Sequence, residues 1–239
     1  AGAPRLSLSV RRKEQRIIAV HECGHALLGA MCDTGDVVTK VSVIPRVNGA
    51  LGFTLRTPIE DRTLAGEDEL RSMLVVLLGG RAAEKLVFGQ VTTGASDDLQ
   101  KASRIAQNMI GVYGMSKTMG PRALLPIPHD ISDSGGQPGG QMTPTQQQAD
   151  REVSSLLRAS AAYAQEALGV NSDILDEMVA KLMEDETLDG AVLDAFLARA
   201  IAPPTLTQFL LKGKYEIEPA NSILQYSNGD APPSVGVDQ

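Results

Sequence analysis

The sequence lacks most of the features by which whole function classes announce themselves. Its 239 residues contain only two cysteines, Cys23 and Cys32, and on one helix these would lie about 13 Å apart along the axis. They cannot bridge each other, so a disulfide scaffold is excluded, which fits a reducing compartment. No long apolar run exists. The longest, Met73 to Leu78, is far too short to span a bilayer, and no signal-peptide pattern opens the sequence, so this stretch of chain is expected to be soluble. Basic clusters are also missing: Lys+Arg number 22 against 29 Asp+Glu, a net charge of −7. Beyond the short run Arg11-Arg12-Lys13 nothing offers a phosphate backbone a partner, and no nucleic acid is expected. A Walker G-x-x-x-x-G-K-[ST] sequence is absent as well, so this chain carries no nucleotide-hydrolysing loop of that type.

What is present is a 43% hydrophobic composition, enough for a real core, and one unusual concentration of histidine. Of the chain's 3 histidines, two fall in Val20-His21-Glu22-Cys23-Gly24-His25-Ala26. This is the H-E-x-x-H pattern of zinc peptidases. On a helix, residues i and i+4 lie about 40° apart around the axis and roughly 6 Å along it, so both rings can reach one Zn2+ ion. Glu22 then sits beside the metal, where a carboxylate can take the proton of a water whose pKa the zinc lowers to about 7. Cys23 points about 160° to 200° away from the histidines, and both cysteines read as small buried residues.

Periodicity places the motif in the middle of a helix running from about Val10 to Cys32 and closed by Asp33-Thr34-Gly35. Val37 to Pro45 and Ala50 to Thr57 read as a β-hairpin around Val47-Asn48-Gly49. Glu67 to Val87 is helical but interrupted by Gly79-Gly80, a bend or a close helix contact. A second amphipathic helix follows, with Ser96 as its cap and Leu99, Ala102, Ile105, Ala106, Met109, Ile110 and Tyr113 on one side. Residues 117–144 read as a flexible loop rich in Pro, Gly and Gln, with His129 an exposed bystander. Thr145 to Leu168, Ser172 to Met183 and Leu188 to Ile201 read as a helical bundle, Ser172 and Thr187 serving as caps. The expected fold is therefore mainly α, with a small β-hairpin beside the site and a C-terminal helical bundle. The expected divisions are an N-terminal leader (1–7), a zinc-binding catalytic subdomain (8–116), the loop (117–144), a C-terminal helical subdomain (145–202) and a loose tail (203–239).

A catalytic zinc takes three protein ligands, and the motif supplies two. The metzincin pattern would require glycine and histidine where Leu28 and Met31 stand, and no carboxylate occurs in the Val41 to Arg46 strand where a thermolysin-like arrangement would need one. The remaining acids are Glu60, Asp61, Glu67, Asp68, Glu69, Glu84, Asp97 and Asp98. Asp97 and Asp98 open a helix after a glycine-containing turn, a place where acids also serve simply to complement the helix dipole. Glu84 lies on an apolar helix, where an acid needs a partner such as a ligand histidine. Residue chemistry alone leaves these open.

The segments His21-Glu22-Cys23-Gly24-His25-Ala26-Leu27, Gly79-Gly80-Arg81-Ala82-Ala83-Glu84, Thr92-Thr93-Gly94-Ala95-Ser96-Asp97-Asp98-Leu99 and Tyr113-Gly114-Met115-Ser116 resemble, in order and spacing, the FtsH-type peptidase domain, over about residues 8 to 202. The resemblance implies His21, His25 and Asp98 as zinc ligands, Glu22 as catalytic base and Glu84 as the acid that orients a ligand. It makes the segment Gly49, Ala50, Leu51, Gly52, Phe53 and Thr54 an edge strand that binds extended substrate. It further implies a membrane-anchored AAA protease with an ATPase module N-terminal to this chain, a homo- or hetero-hexamer, and unfolded polypeptides as substrates. Cys23 stands where the family most often has alanine. Two rivals are a nonproteolytic scaffold domain of the same complex, against which the intact Glu22 argues, and a deformylase-like hydrolase, which would need a cysteine as third ligand.

Overall fold

A computed structural model describes residues 12–45, 51–59, 64–124 and 143–217. Its organising element is α1 (Arg12–Met31), whose middle, from Ala19 to Gly29, is almost wholly buried. A helix enclosed on all sides must be apolar or have its polar groups partnered, and the two polar residues buried within it are His21 and Glu22. Behind α1 the strands β1 (Asp36–Ser42) and β2 (Phe53–Pro58) pair antiparallel with a bulge between Val38 and Lys40. Val38 and Val41, three residues apart, are both buried, because the bulge between them resets the period of two. The hairpin acquires a third strand, β3 (Thr187–Asp189), on its far side, giving the order β2-β1-β3 and leaving β2 at the edge.

The interrupted helix is two helices, α2 (Glu67–Leu77) and α3 (Gly79–Phe88), meeting at Leu78. The glycines there permit contact that no larger residue would. A Cβ on Gly24 of α1 would lie 2.7 Å from both the Ala83 Cβ and the Gly79 carbonyl oxygen, so α1 and α3 touch backbone to backbone. A short 3₁₀ turn, Thr93–Ala95, leads into α4 (Ser96–Gly111). Helix α5 (Pro144–Val170) begins with a full capping box between Thr143 and Gln146 and proline at its first turn, the local arrangement that satisfies free N–H groups and presets φ. It lies across α2, α3 and α4. Then come α6 (Ser172–Asp185), α7 (Gly190–Leu197) and α8 (Pro204–Lys212).

One continuous core runs from Ala19 in α1 to Leu210 in α8, so the C-terminal helices complete the core around α1 and share it with the metal-motif region. Among the described residues no helix is long and apolar enough to cross a membrane.

Several local expectations differ. Thr92 rather than Ser96 caps the turn before α4, its hydroxyl accepting from Gly94 N. Ser172 is the first residue of α6, and it is Asn171 that works there, its amide donating to Ala167 O and Ile201 O while its oxygen accepts from Ile201 N. Thr187 is in a strand, because Glu186 ends α6 in the left-handed conformation (φ 60°) and turns the chain toward β1. Helix α7 is correspondingly shorter than Leu188 to Ile201. On α4, Leu99 is exposed whereas Ala102, Ala106, Met109 and Ile110 are buried, and Tyr113, also exposed, lies just beyond the end of the helix.

The stretch read as a loose tail starts with α8. Leu206, Phe209 and Leu210 bury one face of it, and Phe209 stacks on Tyr163 at 4.6 Å. The first loop residues are also fixed, since the buried Glu152 carboxylate accepts from Ser116 Oγ (2.7 Å), Lys117 N (2.6 Å) and Thr118 Oγ1 (2.7 Å). The expectations for residues 1–7, His129, Glu60 and Asp61, most of the 117–144 loop and the tail beyond 217 lie outside the described residues.

Candidate metal centre

His21 and His25 stand one turn apart on α1 with their rings edge to face, centroids 4.7 Å apart. Each ring is held at Nδ1. His25 Nδ1 donates to the Val76 carbonyl (2.7 Å) and His21 Nδ1 to Glu84 Oε1 (2.7 Å). A carbonyl can only accept, so His25 carries its proton on Nδ1, and the carboxylate sets the same tautomer for His21. Both Nε2 atoms therefore present lone pairs, and they face each other at 3.0 Å. Asp98 Oδ2 completes a triangle at 3.2 Å from each. Three acceptors converge with no proton between them, an arrangement that repels itself unless a cation sits in its midst.

The dimensions suit zinc. Donors about 2.0–2.1 Å from a tetrahedral ion lie about 3.3 Å from one another, close to the observed edges, and two imidazoles with one carboxylate form a donor set typical of a catalytic site with one position left open. Among the described residues this is the one cluster of three such groups. Without a cation the triangle instead favours a proton. Burial works against charge on His21, yet the hydrogen bonds to Asp98 and Glu84 and the charge of Glu22 prevail, lifting its pKa from 6.5 to about 9. Burial likewise opposes ionised Asp98, but its contacts with His21 and His25 hold the carboxyl well below the usual range.

The break between α2 and α3 is what makes this geometry available. By ending α2 at Leu77 it presents the Val76 carbonyl to His25, and it places Gly80 directly beneath the His21 ring, where a Cβ would overlap ring atoms Cε1 and Nε2. One turn on, Glu84 is buried to 1% exposure. Its second oxygen accepts from Thr92 N at 2.6 Å, so a single carboxylate ties His21 on α1 to the turn that launches Asp98 on α4. Burial would raise the Glu84 pKa, but the His21 and Thr92 hydrogen bonds lower it. Asp98 sits in the first turn of α4, where the helix dipole favours an anion.

Its neighbour Asp97 points to solvent and pairs with Lys101 at 2.6 Å, which settles which of the two acids faces the histidines. Glu67, Asp68 and Glu69 lie in the first turn of α2, the first two exposed and Glu69 half-buried, and Glu67 pairs with Arg71. Cys23 and Cys32 are buried free thiols outside the cluster, both raised in pKa by burial, Cys32 to about 12.

Glu22 is buried beside His21 and meets β2, where Thr54 Oγ1 lies 2.8 Å from its Oε2. Of the segment expected to bind substrate, Gly49 and Ala50 fall outside the described residues, Leu51 is exposed, and Gly52, Phe53 and Thr54 are half-buried. The Val76 carbonyl, Thr92 N and the absent side chain of Gly80 also shape the centre. Sequence reading missed their part in it, because main-chain groups and missing atoms leave no residue signal beyond the glycine pair itself.

A family model described as "Peptidase family M41" matches residues 8–195. The chain is 40% identical over 209 residues to "ATP-dependent zinc metalloprotease FtsH 4" of Synechocystis sp., an alignment covering 86% of this chain and 33% of that protein. It is 38% identical over 215 residues to "ATP-dependent zinc metalloprotease FtsH" of Acaryochloris marina, covering 90% and 33%. To "ATP-dependent zinc metalloprotease FTSH 7, chloroplastic" of Arabidopsis thaliana it is 38% identical over 225 residues, covering 91% and 28%. The chain thus spans about a third of the length of these relatives.

Proposed function

Because this chain belongs to peptidase family M41, we propose that it is a zinc metalloendopeptidase domain and forms the proteolytic part of a longer ATP-dependent protease. The observation that carries the reading is the triangle of His21 Nε2, His25 Nε2 and Asp98 Oδ2, three acceptors whose tautomers leave no proton to reconcile them. His21, His25 and Asp98 hold the metal; Glu84 and the Val76 carbonyl orient the two rings. Zinc, when bound, supplies Lewis acidity that polarises the scissile carbonyl and acidifies a water. Glu22 accepts the proton of the attacking water and delivers it to the leaving amine as the peptide bond breaks. Among the described residues β2 lies at the edge of the sheet, and an extended polypeptide adds its backbone there, so recognition is largely blind to side chains and suits unfolded substrates.

The relatives' names extend the proposal to ATP dependence of the whole protein, and the resemblance to FtsH-type proteases adds an ATPase module N-terminal to this chain, a membrane anchor outside it and a hexameric assembly that feeds unfolded chains to the site. Separated from such a module, the domain cleaves only loose polypeptides.

The test is hydrolysis of an unfolded, fluorescently labelled protein by the zinc-loaded chain beside Glu22→Gln at equal metal content. General-base catalysis contributes about 10²–10⁴-fold, and a loss of that size in the variant is expected. Equal turnover by both proteins would remove Glu22 as the base. Inactivity of both with one zinc bound per chain would favour a scaffold role.

A further inference from the structure

Strand β2 does more at this site than offer an edge. Along it Leu55 turns outward and is exposed, whereas the Thr54 side chain points into the protein, toward α1, as alternation demands. Thr54 Oγ1 lies 2.8 Å from Glu22 Oε2 and 3.1 Å from the Glu22 main-chain oxygen. The hydroxyl has one proton, and the nearer, charged oxygen is the stronger acceptor. Glu22 Oε1 receives no hydrogen bond from any described residue. One carboxylate oxygen is thus tethered while the other is left for a water.

A second, independent feature holds the strand to the same place. A Cβ on Gly52 would lie 2.5 Å from Ile18 Cγ2, 2.9 Å from the Ser42 carbonyl and 3.1 Å from Glu22 Cγ. The chain entering β2 therefore lies directly on the Glu22 side chain, in a path open only to glycine.

We propose that Thr54 is a positioning residue for the proteolytic reaction, its hydroxyl fixing Glu22 Oε2 so that Oε1 is aimed at the attacking water. This rests on Glu22 being the base. Because Thr54 belongs to the strand whose outer edge pairs with substrate, a polypeptide added to β2 stiffens the element that orients the base. Substrate pairing and proton transfer are then coupled through one side chain. A carboxylate free to rotate about its χ angles spends part of its time with neither oxygen in reach of the water, and a misplacement of about 1 Å can cost 10²-fold.

The experiment compares Thr54→Val, which keeps the branched shape and removes the donor, with Thr54→Ser, which keeps the donor and removes the methyl. Both are assayed as zinc-loaded proteins on a fluorogenic unfolded substrate, with zinc content and thermal midpoint measured on the same samples. For Thr54→Val we expect kcat to fall about tenfold or more with KM within twofold and zinc content unchanged; Thr54→Ser retains kcat within about threefold. Combined with Glu22→Gln, Thr54→Val adds no further loss, because it acts through that side chain. Binding of a peptide hydroxamate, whose hydroxyl proton the base accepts, weakens in Thr54→Val by a similar factor and gives a readout independent of turnover.

A kcat unchanged in Thr54→Val overturns the proposal, as does an equal fall in the Ser and Val variants, which would assign the effect to methyl packing. A rise in KM alone would make Thr54 a substrate contact. Should Glu22→Gln retain turnover, the base assignment itself fails; should Glu22→Gln be inactive while Thr54→Val is normal, only the positioning role fails.

Discussion

Replacing Glu84 by glutamine removes one charge and almost no volume, and its cost can be worked out from the hydrogen bonds. The carboxylate accepts two N–H donors, His21 Nδ1 at 2.7 Å and Thr92 N at 2.6 Å, in a site closed to solvent. Glutamine has one acceptor oxygen, and its amide nitrogen would face the second donor. One buried N–H is therefore left unsatisfied, at about 1–3 kcal/mol. At 1.36 kcal/mol per factor of ten, this is about 5- to 150-fold. The usual effect of losing a partner of a metal-bound histidine, about 10- to 100-fold in metal affinity, falls in the same range. The direction does not depend on which donor is abandoned: losing His21 frees that ring, and losing Thr92 frees the turn that aims Asp98.

Competition for zinc against a chromophoric chelator measures the effect directly. Asp97→Asn serves as the control, since Asp97 pairs with Lys101 in solvent and should leave affinity unchanged. Zinc affinity of a folded Glu84→Gln protein within twofold of wild type would refute the account of Glu84 as the clamp between His21 and the Thr92 turn.

Two further outcomes follow from the same centre. Gly80→Ala drives a methyl group into the His21 ring; the overpacking should cost about 1–3 kcal/mol and zinc affinity at least about tenfold, read by thermal melting and chelator competition, and wild-type affinity would contradict the close contact. In the metal-free protein His21 holds its proton up to about pH 9, against 6.5 for an ordinary imidazole. The folded state thus binds that proton more tightly than the unfolded chain, giving stability that is complete below about pH 6.5 and lost as pH rises through about 9. The melting temperature of the metal-free protein should fall across that interval and, in excess zinc, should instead rise as the cation displaces the proton; a flat metal-free profile would count against the convergence on His21.

The local pattern carried what local physics controls. Apolar spacing from Ile17 to Met31 defined α1 and placed both histidines on one face, and Gly79-Gly80 marked the junction of α2 and α3 where the helices do in fact break. Short or displaced elements were not legible. Strand β3 has three residues and exists because β1 offers it an edge, so no period of two announces it. Helix α8 opens on the pair Pro203-Pro204 and shows its pattern only through Leu206, Phe209 and Leu210, which are buried, Phe209 against Tyr163.

The sequence by itself determined that two imidazoles and a carboxylate share one turn of a helix, since i to i+4 spacing is set by backbone geometry alone. It also determined a mainly helical chain with a hairpin, and it left eight acids as candidates for a third ligand, Asp97, Asp98 and Glu84 foremost. Residue chemistry by itself did not separate Asp97 from Asp98; the family resemblance pointed to Asp98, and only the tertiary structure gives the physical reason, placing its Oδ2 3.2 Å from both histidines. That placement depends on the angle at which α4 leaves the Thr92 turn, and that angle is fixed by a hydrogen bond from Thr92 to Glu84, itself held by His21. Relations of this kind join residues far apart in the chain through main-chain groups and close glycine contacts, which have no periodicity and become visible only when the helices are packed.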